Sequence, residues 1–390
     1  MRSTLITGIG QLVTNDPERG PGLLGVVSDA AVVIADGHIQ WVGAESDAPQ
    51  ADESLNVAGH AVLPGWVDSH THLVFAGDRA AEFTARMSGA PYEAGGMRAS
   101  VDATRAADDS TLAQLMADRI KDMHAAGTTC IETKTGYGLT VIDEARSARV
   151  AAAAGVDEIT FLGAHVVPAE YDDNRGAYLD LVCGPMLAAV KGKASWIDVF
   201  CETGAFDEAE SRRVLEAGRA AGLGLRVHGN QLGPGPGVQL AVEMGAASVD
   251  HCTYLTDADV AALADTDTVA TLLPATDLST RQSAAPGRRL VDAGAHIALA
   301  TNCNPGTSYT ASMPLVIALA VLQCGLSAEE AVHAATAGGA RALRRDDVGV
   351  VRVGARGDLQ VIDAPTIDHI AYRVGGVGTR AVWRAGKRVA

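Results

Sequence analysis

The chain is written in short, nearly continuous apolar runs separated by longer amphipathic stretches. The runs end near residues 68, 132, 164, 201, 228, 251, 273 and 301. Such a run, apolar on both faces and too short for a helix, suits a parallel strand buried between layers. Helical stretches lie between the runs, at 112–126, 141–154, 207–221 and 281–293. Eight strands alternating with helices predict the α/β class and a (β/α)8 TIM-type barrel. Residues 73–110 interrupt the alternation. They are polar and glycine-containing, and read as an insertion over the barrel mouth.

The two ends are patterned differently. Residues 31–43 read as a hairpin around Asp36-Gly37, and residues 379–389 as a second hairpin turning at Ala385-Gly386. A further strand is expected over 358–363. These β-rich ends predict one small β-sandwich-like domain made by both termini. Its N-terminal part is 1–60 and its C-terminal part 346–390, flanking a metal-dependent catalytic barrel at 61–345.

Composition narrows the functions. The 390 residues carry a formal net charge of −16, which argues against nucleic acid or an anionic membrane as partner. A small anionic substrate remains compatible, because a local arginine can capture it. No apolar stretch is long enough to span a bilayer, and no signal peptide is visible at the N-terminus. Cys130, Cys183, Cys201, Cys252, Cys303 and Cys324 are scattered without a CxxC pair. Reduced thiols in a cytoplasmic protein are the expectation.

The chemistry concentrates at the strand ends. His70-Thr71-His72 follows the first run, and two residues of separation put both rings on one face of an extended strand. His165, His228 and His251 also stand at the ends of runs. A single one of these reads equally as a hydrogen-bonded histidine filling the barrel. Five of the eleven histidines on one rim point to a site, because the C-terminal face of this fold is where active sites are built. His70, His72 and His228 supply three neutral imidazoles for one divalent metal, Zn²⁺ or Fe²⁺. A carboxylate usually completes such a set and takes a proton from the activated water. The end of the eighth run is its natural place, and there the chain has Asn302. The stretch Gly233-Pro234-Gly235-Pro236-Gly237 lacks the lysine and spacing of a phosphate loop and reads as a rigid loop opening a helix.

Several segments together resemble the amidohydrolase superfamily and, within it, the imidazolonepropionases. They are His70-Thr71-His72-Leu73-Val74-Phe75-Ala76-Gly77-Asp78-Arg79, Gly127-Thr128-Thr129, Lys134-Thr135-Gly136-Tyr137-Gly138 and Phe161-Leu162-Gly163-Ala164-His165. The resemblance continues through Asp198-Val199-Phe200-Cys201-Glu202, Val249-Asp250-His251 and Asn304-Pro305-Gly306. It implies hydrolysis of the lactam C–N bond of 4-imidazolone-5-propanoate to N-formimidoyl-L-glutamate, and a homodimer. It places His70, His72, His228 and residue 302 on the metal. Arg79, Tyr92 and Tyr137 would hold the propionate carboxylate, His165 would bond the imidazolone ring, and Asn304 would also contact substrate. His251 would polarise the carbonyl or shuttle a proton.

By their residue types alone, Arg79 reads equally as a surface arginine, Tyr137 as part of a turn and Tyr92 as packing. A planar guanidinium beside phenol hydroxyls nevertheless makes a sound carboxylate clamp. Two positions depart from the family pattern. Gly229-Asn230-Gln231 stands where Ala-Asp-Glu is common, so Gln231 can bond the reacting group but cannot exchange protons near neutrality. Asn302 is a weak ligand and no base. Three accounts of Asn302 stand: an engineered substitution, a natural residue with His251 as base, or a paralogue that binds without turnover. A deaminase or another cyclic amidohydrolase is the alternative reaction, distinguished by needing no carboxylate clamp.

Overall fold

The computed structural model describes residues 3–89 and 96–390. Its central sheet has eight parallel strands: β1 Trp66–Asp68, β2 Thr128–Lys134, β3 Glu158–Ala164, β4 Trp196–Cys201, β5 Gly224–Gly229, β6 Ser248–His251, β7 Val269–Leu272 and β8 Ile297–Leu299. Each strand pairs with the next in chain order. Every residue of β2 and β4 is buried, which is why these strands read as unbroken runs. The sheet closes through the residues just beyond β1 and β8. The Asn302 N–H donates to the His70 carbonyl at 3.0 Å, and the His72 N–H to the Asn302 carbonyl at 3.2 Å. Thus the (β/α)8 TIM-type barrel expected from the pattern is the fold.

The helices start where the chain satisfies their first N–H groups. Thr140 caps Val141–Ala154 and Asp207 caps Glu208–Ala220, each by accepting a backbone N–H at the first turn. Of the helix expected over 281–293 only Gly287–Asp292 forms, and a separate helix, Pro274–Thr280, ends just before that span. Arg281 turns left-handed (φ 58°) and Pro286 precedes the second helix, so no continuous helix can form. The insertion is itself helical, with Ala80–Met87 and Met97–Ala106 among the described residues.

The termini build two small sheets. Thr4–Ile9, Ala30–Ala35, His38–Ala44 and Glu53–Asn56 form one. Gln11–Leu12, Ala61–Pro64, Leu359–Ile362, Thr379–Arg384 and Lys387–Arg388 form the other. Ile6, Val32, Ile34, Val62, Leu359, Val361 and Trp383 share one apolar core between them. Both hairpins turn on two residues of positive φ, Asp36 and Gly37 (51° and 82°) and Ala385 and Gly386 (48° and 74°). That twist matches the strands they join. The strand Ala61–Pro64 pairs with Leu359–Ile362, so the apolar run that ends at residue 68 holds two strands of different sheets. A boundary after residue 60 therefore cuts ahead of a strand that packs with the small domain.

Candidate active site

Strand ends bring five histidines together. His70 and His72 follow β1, His165 follows β3, His228 lies in β5 and His251 ends β6. All five are buried. Ring centroids lie 4.5 Å apart for His70–His228, 5.3 Å for His70–His72 and 5.4 Å for His228–His251. Arg119 reaches in from helix Asp109–Ala125 and donates to the carbonyls of Leu73 and Phe75 at 2.7 and 2.9 Å, which holds the loop after His72.

A layer of buried charge lies beneath the rings. His70 Nδ1 donates to Asp250 Oδ2 at 2.7 Å and His228 Nδ1 to Asp198 at 3.0 Å. A carboxylate on Nδ1 selects the tautomer whose Nε2 lone pair faces the other way, into the cluster. Lys134 Nζ stands 3.0 Å from Glu132, 3.0 Å from Asp198 and 3.8 Å from Asp250, and Arg226 lies 3.2 Å from Asp250. Burial pushes the Asp198 and Asp250 carboxyls up. The facing groups reverse this, with His228 and Lys134 acting on Asp198 and Arg226 and the His70 hydrogen bond on Asp250, so both fall below the ordinary carboxylate range. Burial lowers the His70, His72 and His251 imidazoles well below their ordinary value and His165 to about 3. These rings are neutral, the form in which a histidine ligates metal.

Asn302 completes the ring of polar groups. It holds a left-handed backbone (φ 67°), which asparagine tolerates better than most residues. Its Nδ2 donates to Thr276 Oγ1 at 2.8 Å and Thr307 Oγ1 at 3.0 Å. Among the described residues its Oδ1 has no hydrogen-bond partner, and neither do His70 Nε2, His72 Nδ1 and His251 Nδ1. Orphaned buried acceptors of this kind call for a cation or a donor. His72 Nε2 and His228 Nε2 are 3.4 Å apart. Two nitrogens bound to one tetrahedral ion at about 2.0–2.1 Å would be separated by about 3.4 Å. His70, His228 and His251 also form a triad whose ligand atoms lie within 4.8 Å of one another. His72 stands outside that triad and approaches it through His228. The donor set of neutral imidazoles fits a divalent metal, and His72 lies beside it at the His228 ring.

The neighbouring cavity is lined by His72, Arg79, Tyr137, His165, His228, Gln231, His251, Asn302 and Asn304, with Met97, Phe200 and Thr307. The expected site residues thus meet at one place, except Tyr92, which lies outside the described residues. His70 sits just beneath. His165 Nδ1 donates to the Gly136 carbonyl at 3.0 Å, leaving Nε2 as the acceptor. A Cβ on Gly136 would stand 2.8 Å from the Leu162 carbonyl, and φ is +105°, so only glycine fits there. Asn304 Oδ1 accepts the N–H groups of Gly306 and Thr307 at 2.8 and 3.3 Å, shaping the loop after β8. The Gln231 N–H donates to Glu202 at 2.9 Å. Arg79 is buried, and its Nε and Nη2 donate to the two oxygens of Glu82 at 2.7 and 2.6 Å.

The sequence assigns no role to Asp198, Asp250, Glu132, Lys134, Thr276, Thr307 or Glu82, although Asp198, Asp250 and Lys134 stand within its motifs. A signal for the first four was present, since a charge inside an otherwise apolar strand has to be paired. Thr276, Thr307 and Glu82 gave none, because hydroxyls and surface carboxylates are common beside any helix or loop.

An amidohydrolase family profile matches residues 236–389. An imidazolonepropionase from Saccharopolyspora erythraea is 61% identical, over 100% of this chain and 99% of that one. Another from Mycolicibacterium smegmatis is 58% identical, over 100% and 98%. The chain belongs to the imidazolonepropionases. Among solved structures, atrazine chlorohydrolase from Arthrobacter aurescens TC1 complexed with zinc matches with a TM-score of 0.72 at 17% identity, covering 99% of this chain and 94% of that one. An adenosine deaminase from Xanthomonas campestris with bound zinc matches at 0.71 and 20% identity, covering 99% and 92%. These two show the fold that this chain shares with them.

Proposed function

We propose that this imidazolonepropionase hydrolyses the lactam C–N bond of 4-imidazolone-5-propanoate to N-formimidoyl-L-glutamate. The observation that carries the reading is the set of neutral imidazoles with orphaned nitrogens beside a cavity that also holds Arg79 and Tyr137. His70, His72, His228 and the Asn302 Oδ1 would hold the metal. Bound there, Zn²⁺ or Fe²⁺ supplies Lewis-acid polarisation and a water acidified toward neutrality. Asp250 and Asp198 fix the rings of His70 and His228 through their Nδ1–H groups.

The remaining residues bind and move protons. Arg79, Tyr137 and Tyr92 take the propionate carboxylate. His165 accepts the ring N–H on Nε2. Gln231 bonds the lactam group without exchanging a proton. Water adds its oxygen to the carbonyl carbon, the C–N bond breaks, the nitrogen gains a proton and the carbon becomes a carboxylate. With amides at 231 and 302, His251, which lines the cavity beside the ligands, carries the proton from water to the leaving nitrogen. A charged clamp such as Arg79 is of no use to a neutral nucleobase, which disfavours a deaminase.

The same reading makes the chain a cytoplasmic homodimer. All six cysteines are free, as a reducing compartment requires, and no helix of the described residues is long and apolar enough to cross a membrane. Metal analysis with a turnover assay on imidazolone propionate tests the reaction. One divalent ion per chain and turnover abolished by chelation are expected. Bound metal without turnover, in both this chain and Asn302→Asp, would overturn the substrate assignment.

A further inference from the structure

The loop that carries Tyr137 is folded around a buried carboxylate. Glu144 lies on the first turn of helix Val141–Ala154 and is fully buried. It reaches back to the loop after β2. Its Oε1 accepts the N–H groups of Gly138 at 2.9 Å and Leu139 at 2.7 Å, and its Oε2 accepts that of Gly136 at 3.0 Å. The helix has a cap of its own, because Thr140 Oγ1 accepts the Asp143 N–H at 3.0 Å, so the Glu144 bonds serve the loop. Gly136 and Leu139 both hold positive φ, 105° and 55°. That is uncommon for a residue with a side chain, and the 2.7 Å bond holds Leu139 in it. Neighbouring N–H groups turned to one side make an anion-binding concavity, and here the chain fills it with its own carboxylate. Burial raises the Glu144 carboxyl, and the Thr135 hydroxyl and the loop N–H groups oppose the rise. Helix and loop are in direct contact, since a Cβ on Gly138 would stand 2.6 Å from the Asp143 carbonyl carbon.

The held loop meets the cavity at two points. Tyr137 stands between two gripped residues and lines the cavity. The Gly136 carbonyl accepts the His165 Nδ1–H at 3.0 Å, and a Cβ on Gly136 would lie 3.0 Å from that nitrogen. The Tyr137 and His165 rings are 5.3 Å apart between centroids. We infer that Glu144 is a positioning residue for substrate. By gripping the loop on both sides of Tyr137 it sets that ring, and through the Gly136 carbonyl it keeps His165 in the tautomer whose Nε2 accepts. A carboxylate buried in this way does not let the loop go, because its charge would be left without donors. The substrate side of the cavity is thus shaped before substrate arrives, and little ordering is left to binding. The proposed metal ligands lie elsewhere, after β1, in β5 and after β8, so the grip acts on binding and not on the ion. A Glu144 that served the fold alone would change stability and leave binding untouched.

The inference rests on Tyr137 and His165 binding substrate, and the test separates the two. KM and kcat for imidazolone propionate are measured for the parent, Glu144→Gln, Tyr137→Phe, His165→Asn and the doubles of Glu144→Gln with each. Chelator competition gives zinc affinity, and circular dichroism and melting confirm folding. Glu144→Gln keeps the shape but turns one accepting oxygen into a donor facing an N–H. It is expected to raise KM about tenfold, the order of one hydrogen bond to a charged group, with kcat and zinc affinity within about twofold. In at least one double it should raise KM by less than about threefold more, because the side chain it positions is already gone. Glu144→Asp, which keeps the charge and withdraws it by one methylene, should fall between, and it carries the same comparisons if Glu144→Gln does not fold. Suppose Tyr137→Phe and His165→Asn raise KM, but folded Glu144→Gln leaves it unchanged or multiplies through in full in both doubles. Glu144 then serves the fold alone, and the inference fails while the substrate contacts stand. A fall in zinc affinity as large as the rise in KM overturns it as well. If neither Tyr137→Phe nor His165→Asn moves KM, the substrate contacts fail and the inference with them.

Discussion

Replacing Asn302 with aspartate would put a charge where the fold now has a neutral amide. Asn302 is 1% exposed, its Oδ1 is unpartnered, and its Nδ2 meets two threonine hydroxyls that can rotate to donate instead. The exchange is thus isosteric and its hydrogen bonds survive. What changes is electrostatic. Unit charges about 4 Å apart attract by about 4 kcal/mol at an effective dielectric of 20, and a divalent ion doubles that. Desolvating the carboxylate opposes it by several kcal/mol. A net gain of about 2–3 kcal/mol remains, which is roughly 30- to 150-fold in metal affinity. Without metal the same carboxylate faces neutral imidazoles, so the metal-free protein should lose about 1–3 kcal/mol. Competition with a chromophoric chelator gives the affinity, and urea unfolding with and without chelator gives the stability. Equal zinc affinity in two well-folded proteins would refute the placement of residue 302 on the metal. A metal-free Asn302→Asp protein more stable than its parent would refute the electrostatic account.

Other outcomes follow from the same geometry. Asp198→Asn or Asp250→Asn frees the ring of His228 or His70, and metal affinity should fall about 10- to 100-fold in a chelator titration. Lys134→Met strips the lysine from Glu132 and Asp198 and leaves Asp250 to Arg226 and His70, and urea unfolding should show a loss of about 3–5 kcal/mol. His165 sits at about 3 in the fold against an ordinary 6.5. The unfolded chain therefore takes a proton that the folded state refuses, and stability falls as pH drops from 6.5 toward 3, by up to about 1.4 kcal/mol per pH unit from this ring. His165→Asn should flatten that slope in unfolding measured at successive pH values, and an unchanged slope would count against a buried neutral ring.

How much of this was legible in the sequence depends on what each pattern encodes. Burial on both faces wrote the eight strands plainly, and Asp36-Gly37 and Ala385-Gly386 marked hairpins because their turns need positive φ. Apolarity says nothing of which sheet a strand joins, so Ala61–Pro64 ran on unseen into β1. Periodicity also started a helix at Arg281, where the left-handed backbone and Pro286 delay it to Gly287. At the site, rim position exposed the histidines. Their supports were hidden, since the pairing of Asp250 with His70 or Lys134 with Asp198 is made only by the closed barrel. Glu82 was hidden differently: three residues from Arg79, it looks like any helical surface pair.

The barrel's closing bonds run through the backbone of Asn302, against His70 and His72. The earliest and the latest strand ends thus meet at the spot where the ion would sit. No partial barrel, however well its individual units form, can present both halves of that ligand set. During synthesis the site would arise only after the final strand has left the ribosome and docked. Metal uptake would then report a finished molecule and act as a latch on it, because an ion gripping both margins penalises any opening along that line. Chelation should accordingly loosen the barrel first between β1 and β8, with hydrogen exchange quickening there before it does elsewhere.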